Sequence, residues 1–234
     1  MFMTGRSTKI LLNLPVCAAL LLAPSLVHAD TLFTNFGAGN SYNTALGNPV
    51  GNGLDGSGFN YAEGATFVSS KTATLSSLMI ALSCAVCPAG GSLTVKLTNN
   101  SGQQPGSVLE SFSVLGSTLG PLGVDNAPLT LTSLLHPTLT LGTEYWVTVS
   151  GPGTSAVTWN FNSTGDASAE AISLDGGASW FSPSGLTPGA YAVIGTAAVS
   201  AVPEPGSIWL LTTAILGLGI IQFRRTRNTN SQRF

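Results

Sequence analysis

Hydrophobic and polar residues alternate in short runs through the middle of the chain. Leu93, Val95 and Leu97 are each separated by one polar residue. The same alternation recurs in three further runs, whose apolar members are Leu78, Ile80 and Leu82, then Leu129 and Leu131, then Tyr145, Val147 and Val149. A period of two is typical of β-strands that turn one face toward a core and the other toward water. The pattern therefore predicts several strands and places Trp146 on the water-facing side of its strand.

Turn-forming residues separate these runs. Glycine, proline and asparagine cluster in the segments 88–91, 99–102, 105–106, 151–153, 175–177 and 188–189. No helical stripe of three turns occurs in this region, and strands about ten residues apart are typical of sandwiches and barrels. We predict an all-β fold, an antiparallel, jelly-roll-like β-sandwich over residues 30–201. Residues 35–60, rich in glycine, asparagine and serine, are expected to form either a long irregular loop or an edge strand.

The N-terminal segment 1–29 has the parts of a secretory signal peptide. Arg6 and Lys9 precede an apolar stretch that is short for a membrane span, and small residues lead up to Ala29. This arrangement predicts cleavage between Ala29 and Asp30 by signal peptidase. The alternative is a permanent membrane anchor.

A second apolar run, residues 206–223, lies near the other end of the chain. As a helix, 18 residues span about 27 Å, which matches the hydrocarbon core of a bilayer. Arg224, Arg225 and Arg227 follow the run, and the positive-inside rule keeps them cytoplasmic. The sequence therefore predicts one C-terminal transmembrane helix, with the preceding domain outside the inner membrane. The alternative to further processing is a plain tail anchor.

A short motif, Pro203, Glu204 and Pro205, stands directly before this run. The order of Pro-Glu-Pro, apolar helix and arginine cluster over residues 202–234 resembles the PEP-CTERM sorting signal. The resemblance implies a substrate of an exosortase, a membrane protease and transpeptidase of Gram-negative bacteria that make exopolysaccharide. It implies that the inner-membrane anchor is transient and that the protein reaches the cell surface or the extracellular matrix. The two prolines also keep the segment extended, as a protease requires.

A second resemblance lies inside the β-rich region. The chain is similar there to the choice-of-anchor R domain, and the similarity rests on the segments 93–97, 101–109 and 141–147 together with Tyr42, Trp159 and Trp180. This resemblance implies an extracellular β domain that is attached to one of several C-terminal anchors. It implies no defined molecular activity.

Charge separates the middle of the chain from its ends. Residues 30–202 contain nine acidic residues and two basic ones, Lys71 and Lys96, which gives a formal net charge of −7. The other six basic residues lie at the two ends of the chain. A domain of this charge repels a phosphate backbone, so nucleic acid is not an expected partner.

Two cysteines, Cys84 and Cys87, remain after removal of the signal peptide. An even pair in an exported protein favours a disulfide. The alternatives are a redox motif, which needs a helix N-terminus at the first cysteine, and half of a zinc site, which needs a second pair of ligands. A strand precedes Cys84, and only His136 could add a ligand. We therefore predict a structural disulfide and no metal site.

Few residues suggest catalytic chemistry. His136 is interpreted as a loop histidine because Leu135 and Pro137 flank it and no nucleophile-elbow pattern occurs. The acidic residues occur singly, so the paired carboxylates of a glycosidase are not indicated. Asp125 and Asp175 lie among asparagine and glycine and are expected to cap turns, with calcium binding as the alternative that the sequence leaves open.

The three tryptophans of the middle region, Trp146, Trp159 and Trp180, are expected to pack in the core. The alternative is a platform on which a sugar ring stacks, and Trp146 is the best exposed, ligand-facing candidate because of its place in the alternation. A row of exposed aromatic residues on one sheet face would favour this alternative.

The leading hypothesis is a non-catalytic β-sandwich protein of the cell surface or matrix, without a cofactor and without catalytic residues. Its expected partners are signal peptidase and exosortase during export, the membrane before processing, and exopolysaccharide. One alternative is a carbohydrate-binding module. The other is a hydrolase, which would require a cleft with two acids or a Ser–His pair.

Overall fold

A computed structural model describes residues 29–52, 57–87 and 91–197. Over these ranges the named strands pair in antiparallel ladders, and helical structure is limited to the one-turn 3-10 helices Ala38–Asn40 and Gly116–Thr118. The predicted all-β, antiparallel class is confirmed. The strands are β1 (Ala29–Thr34), β2 (Gly47–Asn52), β3 (Asn60–Val68), β4 (Ala73–Ile80), β5 (Leu82–Val86), β6 (Ser92–Asn100), β7 (Pro105–Leu115), β8 (Leu129–Thr132), β9 (Thr138–Leu139), β10 (Glu144–Ser150), β11 (Ala156–Asn160), β12 (Glu170–Ser173) and β13 (Tyr191–Ala197).

Two sheets are built from these strands. The smaller has the order β1-β13-β4-β8, with β9 paired to β4, and the larger has the order β5-β11-β2-β3-β10-β6-β7, with β12 paired to β3. The first and last strands are neighbours, and Asp30 lies opposite Gly195. Both ends of the described fold are therefore found at one edge of the smaller sheet.

The two sheets share one hydrophobic core, an arrangement that fits a β-sandwich. Leu78 and Val193 enter it from the smaller sheet, and Val95, Leu97 and Val147 enter it from the larger one. Apart from Val193, these are apolar positions of the alternating runs, and Leu129 and Leu131 pack against the same core, so the inward face of each run is as predicted. Burying each such side chain stabilises the fold by roughly 1.5–3 kcal/mol relative to leaving it in water.

The prediction of one continuous strand for residues 78–83 is wrong. Strand β4 ends at Ile80, and β5 begins at Leu82 in the other sheet. Ala81 lies at the crossing, where its N–H donates to the carbonyl of Ala190 (3.0 Å) and its carbonyl accepts the N–H of Asn160 (3.0 Å). Leu78, Ile80 and Leu82 all enter the shared core, so the alternation continues through the crossing from β4 to β5.

Residues 35–60 contain a strand, but it is not at an edge. Strand β2 lies between β11 and β3 in the larger sheet. A Cβ atom at Gly47 would lie 2.2 Å from the carbonyl oxygen of Trp159, so the close approach of the strands requires glycine there. The side-chain amide of Asn160 donates to the carbonyl of Asn43 (3.0 Å) in the preceding loop. The polar composition of this segment therefore reflects hydrogen bonding inside the fold.

The segments 1–28 and 198–234 carry the predicted signal peptide and sorting signal, and they lie outside the described residues. Within the described ranges no helix is long and apolar enough to cross a bilayer. The predicted transmembrane helix at 206–223 therefore stays a prediction.

Candidate functional site

The predicted processing sites lie at or beyond the ends of the described fold. Ala29 is the first residue of β1. The Asp30 carboxylate forms an ion pair with Lys71, with 2.9 Å between Oδ2 and Nζ. Cleavage between these two residues would leave all of β1 after Ala29 in the mature protein. The remaining predicted processing residues lie outside the described ranges, namely Pro203, Glu204, Pro205, Arg224, Arg225 and Arg227.

The predicted disulfide is present in the structure. It joins Cys84 and Cys87, whose Cα atoms are 5.8 Å apart. Backbone hydrogen bonds of 2.8 and 2.9 Å link Cys84 to Gly120 and Leu122, which lie along the outer edge of β5. The crosslink thus stabilises the end of an edge strand. The described part of the chain contains no group of three or more histidine, cysteine or acidic residues that could hold a metal ion.

His136 lies in the loop between β8 and β9, where the sequence predicted a loop histidine. Its Nδ1 is 3.1 Å from the carbonyl oxygen of Leu75. Ser133 Oγ donates to the carboxylate of Glu110 at 2.6 Å and accepts the backbone N–H of His136 at 3.0 Å. A serine, a histidine and an acid therefore meet here, but the serine hydroxyl donates to the acid and the imidazole Nδ1 contacts a backbone carbonyl, so the order of bonds is not that of a catalytic triad.

The carboxylate of Glu110 links the two sheets. Glu110 lies on β7 and is 2% exposed, and it accepts Ser133 Oγ–H and the backbone N–H groups of Leu134 (2.6 Å) and Leu135 (3.1 Å) from the loop after β8. Burial raises the pKa of Glu110, but these hydrogen bonds lower it by more, so the net pKa lies below its ordinary value.

Trp146 is buried, so the alternative of an exposed, ligand-facing indole at this position is wrong. The residue does lie on the outer face of β10, since Tyr145 and Val147 on either side enter the shared core. It is nevertheless 0% exposed, and its Nε1–H donates to Asn100 Oδ1 at 3.1 Å. Trp159 packs in the core as predicted. Alternation of residue types shows which face of a strand points away from the core, but it does not show whether other segments cover that face. Trp146 lies on such a covered outer face.

Residues 174–186, which we call the strap, follow β12, and their second half lines a cleft together with Trp146. Its first turn is fixed by Asp175, whose Oδ1 accepts the N–H groups of Ala178 (3.0 Å) and Ser179 (2.9 Å). Gly176 and Gly177 have φ values of 77° and 98°, a backbone conformation that favours glycine. Hydrogen bonds, first of all from the Ser173 hydroxyl, hold the pKa of Asp175 well below its usual range. Asp175 therefore caps a turn, as expected.

Two further contacts hold the strap on the larger sheet. Phe181 exchanges backbone hydrogen bonds of 2.8 and 3.0 Å with Ile172 of β12. The turn between β6 and β7 binds it from the other side, since Gln104 Nε2 donates to the carbonyl of Trp180 (2.9 Å) and Ser182 Oγ donates to the carbonyl of Gln103 (3.1 Å). The position of Trp180 is thus fixed by backbone contacts.

A groove borders the first half of the strap, and we call it the lysine groove. It encloses about 310 Å³, and its lining includes Lys96, Thr98, Thr148, Ser150 and Trp180. Lys96 and Thr148 lie directly opposite each other on β6 and β10, on the outer face of the sheet. None of the residues that line this groove is acidic.

A second space borders the other half of the strap, and we call it the acidic cleft. It encloses about 430 Å³, and its lining includes Glu144, Trp146, Glu170 and Ser168. Glu144 Oε2 accepts Asn100 Nδ2–H at 2.6 Å, and the same asparagine accepts the indole N–H of Trp146. The two spaces therefore differ in charge although both lie against the outer face of one sheet.

Two buried glutamates, Glu63 and Glu170, were not anticipated as a pair. They are 2% and 3% exposed and lie on neighbouring strands, where Glu170 pairs with Ala65 and Ile172 pairs with Glu63. Glu170 Oε1 accepts Asn48 Nδ2–H at 2.6 Å, but the Oε2 atom of each glutamate has no hydrogen-bond partner. The sequence offered one signal, a carboxylate inside an apolar stretch, and the pairing depends on a register that only the fold supplies.

Burial dominates the electrostatics of this pair. It raises the pKa of Glu63 to about 9, and the charge of Glu170 adds to the effect. It also raises the pKa of Glu170 to about 7, although the hydrogen bond from Asn48 opposes the change and the charge of Asp166 adds to it. Burial thus favours the neutral form of both carboxyl groups, most strongly that of Glu63.

Comparison of the chain with protein-family models, with curated proteins and with solved structures gave no match. The fold and its clefts define an all-β protein with two antiparallel sheets around one core.

Proposed function

We propose that this chain is an exported protein that an exosortase sorts to the cell surface or extracellular matrix of a Gram-negative bacterium. Its folded part is a non-catalytic, jelly-roll-like β-sandwich that associates with exopolysaccharide. One observation carries the proposal. The described strands run from Ala29 to Ala197, and they fill the interval between the predicted signal cleavage site and the Pro-Glu-Pro motif at 203–205.

The disulfide supports export. Disulfides persist in oxidising compartments and are rare in the cytosol. The bond between Cys84 and Cys87 fits a protein that folds after crossing the inner membrane. Loss of either cysteine would free the end of β5 without touching the proposed sorting signal.

The pairing of β1 with β13 also supports the proposal. Asp30 and Gly195 face each other at one edge of the smaller sheet. Removal of residues 1–29 and of the chain after the Pro-Glu-Pro motif would remove the terminal Ala29–Thr196 pair and leave the rest of this ladder in place. Both processing events would thus spare the fold.

The test is expression of the full chain in a host with the cognate exosortase and in one without it. We expect loss of the residues after about Pro205 in the first host and an intact inner-membrane protein in the second. Glu204→Ala should block this loss, and the matched control Asn228→Ala, beyond the arginine cluster, should not. Equal processing of both variants would contradict the sorting proposal and favour a plain tail anchor.

A carbohydrate-binding module is the second candidate function. The lysine groove favours it, because an indole side chain and several hydroxyl groups meet there on one sheet face. This candidate is compatible with sorting to a polysaccharide matrix, since a surface domain that holds glycan needs no catalytic step.

A further inference from the structure

We propose that the lysine groove binds an anionic saccharide, namely a sugar residue that carries a carboxylate. The inference rests on the proposed function, which places the domain among exopolysaccharide, and it assigns the surface and the chemistry of that contact. Lys96 would bind the carboxylate, Thr98 a hydroxyl group, and Trp180 the apolar face of the sugar ring.

The two lysines of residues 30–202 differ in whether they form an ion pair. Lys71 is paired with Asp30 at 2.9 Å. Lys96 is half-buried in the groove, and no carboxylate of the described residues lies within ion-pairing distance of it. The net charge of −7 of residues 30–202 opposes the approach of an anion to most of the surface, so an ammonium group without a carboxylate partner is the local contact at which an anion can bind.

A second observation on the neighbouring strand position points to a ligand. Thr98 is two residues from Lys96 on the same face of β6, and it is 2% exposed. Its Oγ1 is buried without a hydrogen-bond partner, which is uncommon in folded proteins and costs stability. Thr98 lines the groove, so a ligand hydroxyl there would supply the missing partner.

The third element is the indole of Trp180, which forms one wall of the groove. The backbone of the strap at this residue is held by the Asp175 turn and by the bond from Gln104 to the Trp180 carbonyl. An aromatic side chain with only two rotatable bonds binds the C–H face of a sugar ring with little loss of side-chain entropy. Serine and threonine hydroxyls on the floor, at 148 and 150, add polar contacts.

Size and charge then select the ligand. About 310 Å³ lies at the lower end of the range for small-ligand pockets, which is roughly 300–1,000 Å³. The acidic cleft is larger but contains Glu144 and Glu170, which would repel a carboxylate. The anion therefore belongs on the Lys96 side of the strap.

The experiment is isothermal titration of the full chain in neutral detergent. The probe is an oligogalacturonate, and the matched ligand is the same oligosaccharide with its carboxyl groups reduced to hydroxymethyl groups. We expect the acidic form to bind at least about tenfold more tightly, and its affinity to fall with added salt. Inorganic phosphate, added as a competitor, should not displace it at equal concentration.

The variants are chosen in pairs. Lys96→Met should weaken binding of the oligogalacturonate about tenfold or more, and Lys71→Met, which removes the same charge elsewhere, should leave it unchanged. Trp180→Ala should abolish measurable binding. Thr98→Val should weaken binding roughly threefold without lowering the thermal midpoint, because it removes a hydroxyl that the fold leaves unpaired.

Four results would overturn the proposal: no binding of the oligogalacturonate, equal binding of the reduced form, equal effects of the two lysine variants, or displacement by phosphate at equal concentration. The last would show an anion site without recognition of the sugar. Each is separate from the sorting test, which measures only the mass of the C-terminal end.

Discussion

Two buried carboxylate sites of this domain are built in opposite ways. Glu110 accepts three hydrogen bonds across the gap between the sheets, and its charged form is favoured. Glu63 and Glu170 are as little exposed, but each has an oxygen without a partner, and the neutral forms are favoured. Desolvation outweighs hydrogen bonding at this pair, whereas three hydrogen bonds outweigh a smaller desolvation at Glu110, and this balance decides the sign of the pKa change.

Other polar side chains also divide into those whose partners stabilise the fold and those without such partners. Glu110 and Lys71 have partners that join distant parts of the chain. Among the described residues no carboxylate lies within ion-pairing distance of Lys96, and Thr98 Oγ1 and the Oε2 atoms of Glu63 and Glu170 have no hydrogen-bond partner. Unpaired buried groups cost stability, so they persist where a ligand or another constraint maintains them. This is the physical basis for placing the ligand at the lysine groove.

The largest expected effect is on the pH dependence of the intact protein. Glu63 and Glu170 have raised pKa values of about 9 and about 7, so they stabilise the fold fully below their ordinary pKa and lose that contribution as the pH rises. Glu110 has a lowered pKa, so its contribution is lost as the pH falls below its ordinary value. Stability should therefore peak near pH 5 and fall by several kcal/mol, on the order of 5, toward pH 9.

The measurement is the free energy of unfolding in urea across this range. A flat profile between pH 5 and pH 9 would show that the glutamate pair is solvated in solution, and the contrast with Glu110 would then fail.

Removal of the linking carboxylate should have the next largest effect. Glu110→Ala leaves the buried Ser133 hydroxyl and two backbone N–H groups unpaired, so we expect a loss of roughly 3 kcal/mol at pH 7. Urea denaturation measures it. The control is Ser111→Ala, an exposed neighbour on the same strand, which should change the stability by less than about 0.5 kcal/mol. Equal effects of the two variants would contradict the structural role.

The opposite sign is expected at the other site. Glu63→Gln removes a carboxyl group that is ionised in the unfolded chain at pH 7 and must take up a proton on folding, so the variant should be more stable than the wild type by on the order of 2 kcal/mol at pH 7. About one pH unit below the ordinary pKa of 4.5, where Glu63 is neutral in both folded and unfolded chains, the gain should disappear. A loss of stability at pH 7 would show that the carboxylate has a partner that holds it.

These two sites also show what the sequence could and could not predict. The alternation around Val95 and Val147 predicted the strands and their inward faces, because burial of every second residue is a local property. The crossing at Ala81 and the covering of Trp146 were missed, since both depend on segments distant in the chain. The same holds for the Glu63–Glu170 pair and the groove at Lys96, where strand register and the strap bring the residues together. The disulfide was predictable because its cysteines are three positions apart.

The smallest effect is expected at the strap. Asp175→Asn weakens the bonds to Ala178 and Ser179 on an exposed turn, so the thermal midpoint should stay the same while the amides of the strap exchange hydrogen faster. Hydrogen–deuterium exchange by mass spectrometry measures this. Asp125→Asn, in another exposed turn, serves as the control and should leave strap exchange unchanged. Unchanged exchange in the Asp175 variant would show that other contacts hold Trp180 in place.

The most direct test of the central claim is the intact mass of this protein recovered from the surface of its native host. The account predicts a chain that begins at Asp30, ends near Pro205 and retains the bond between Cys84 and Cys87. A surface form that still contains Arg224 and Arg225 would contradict it.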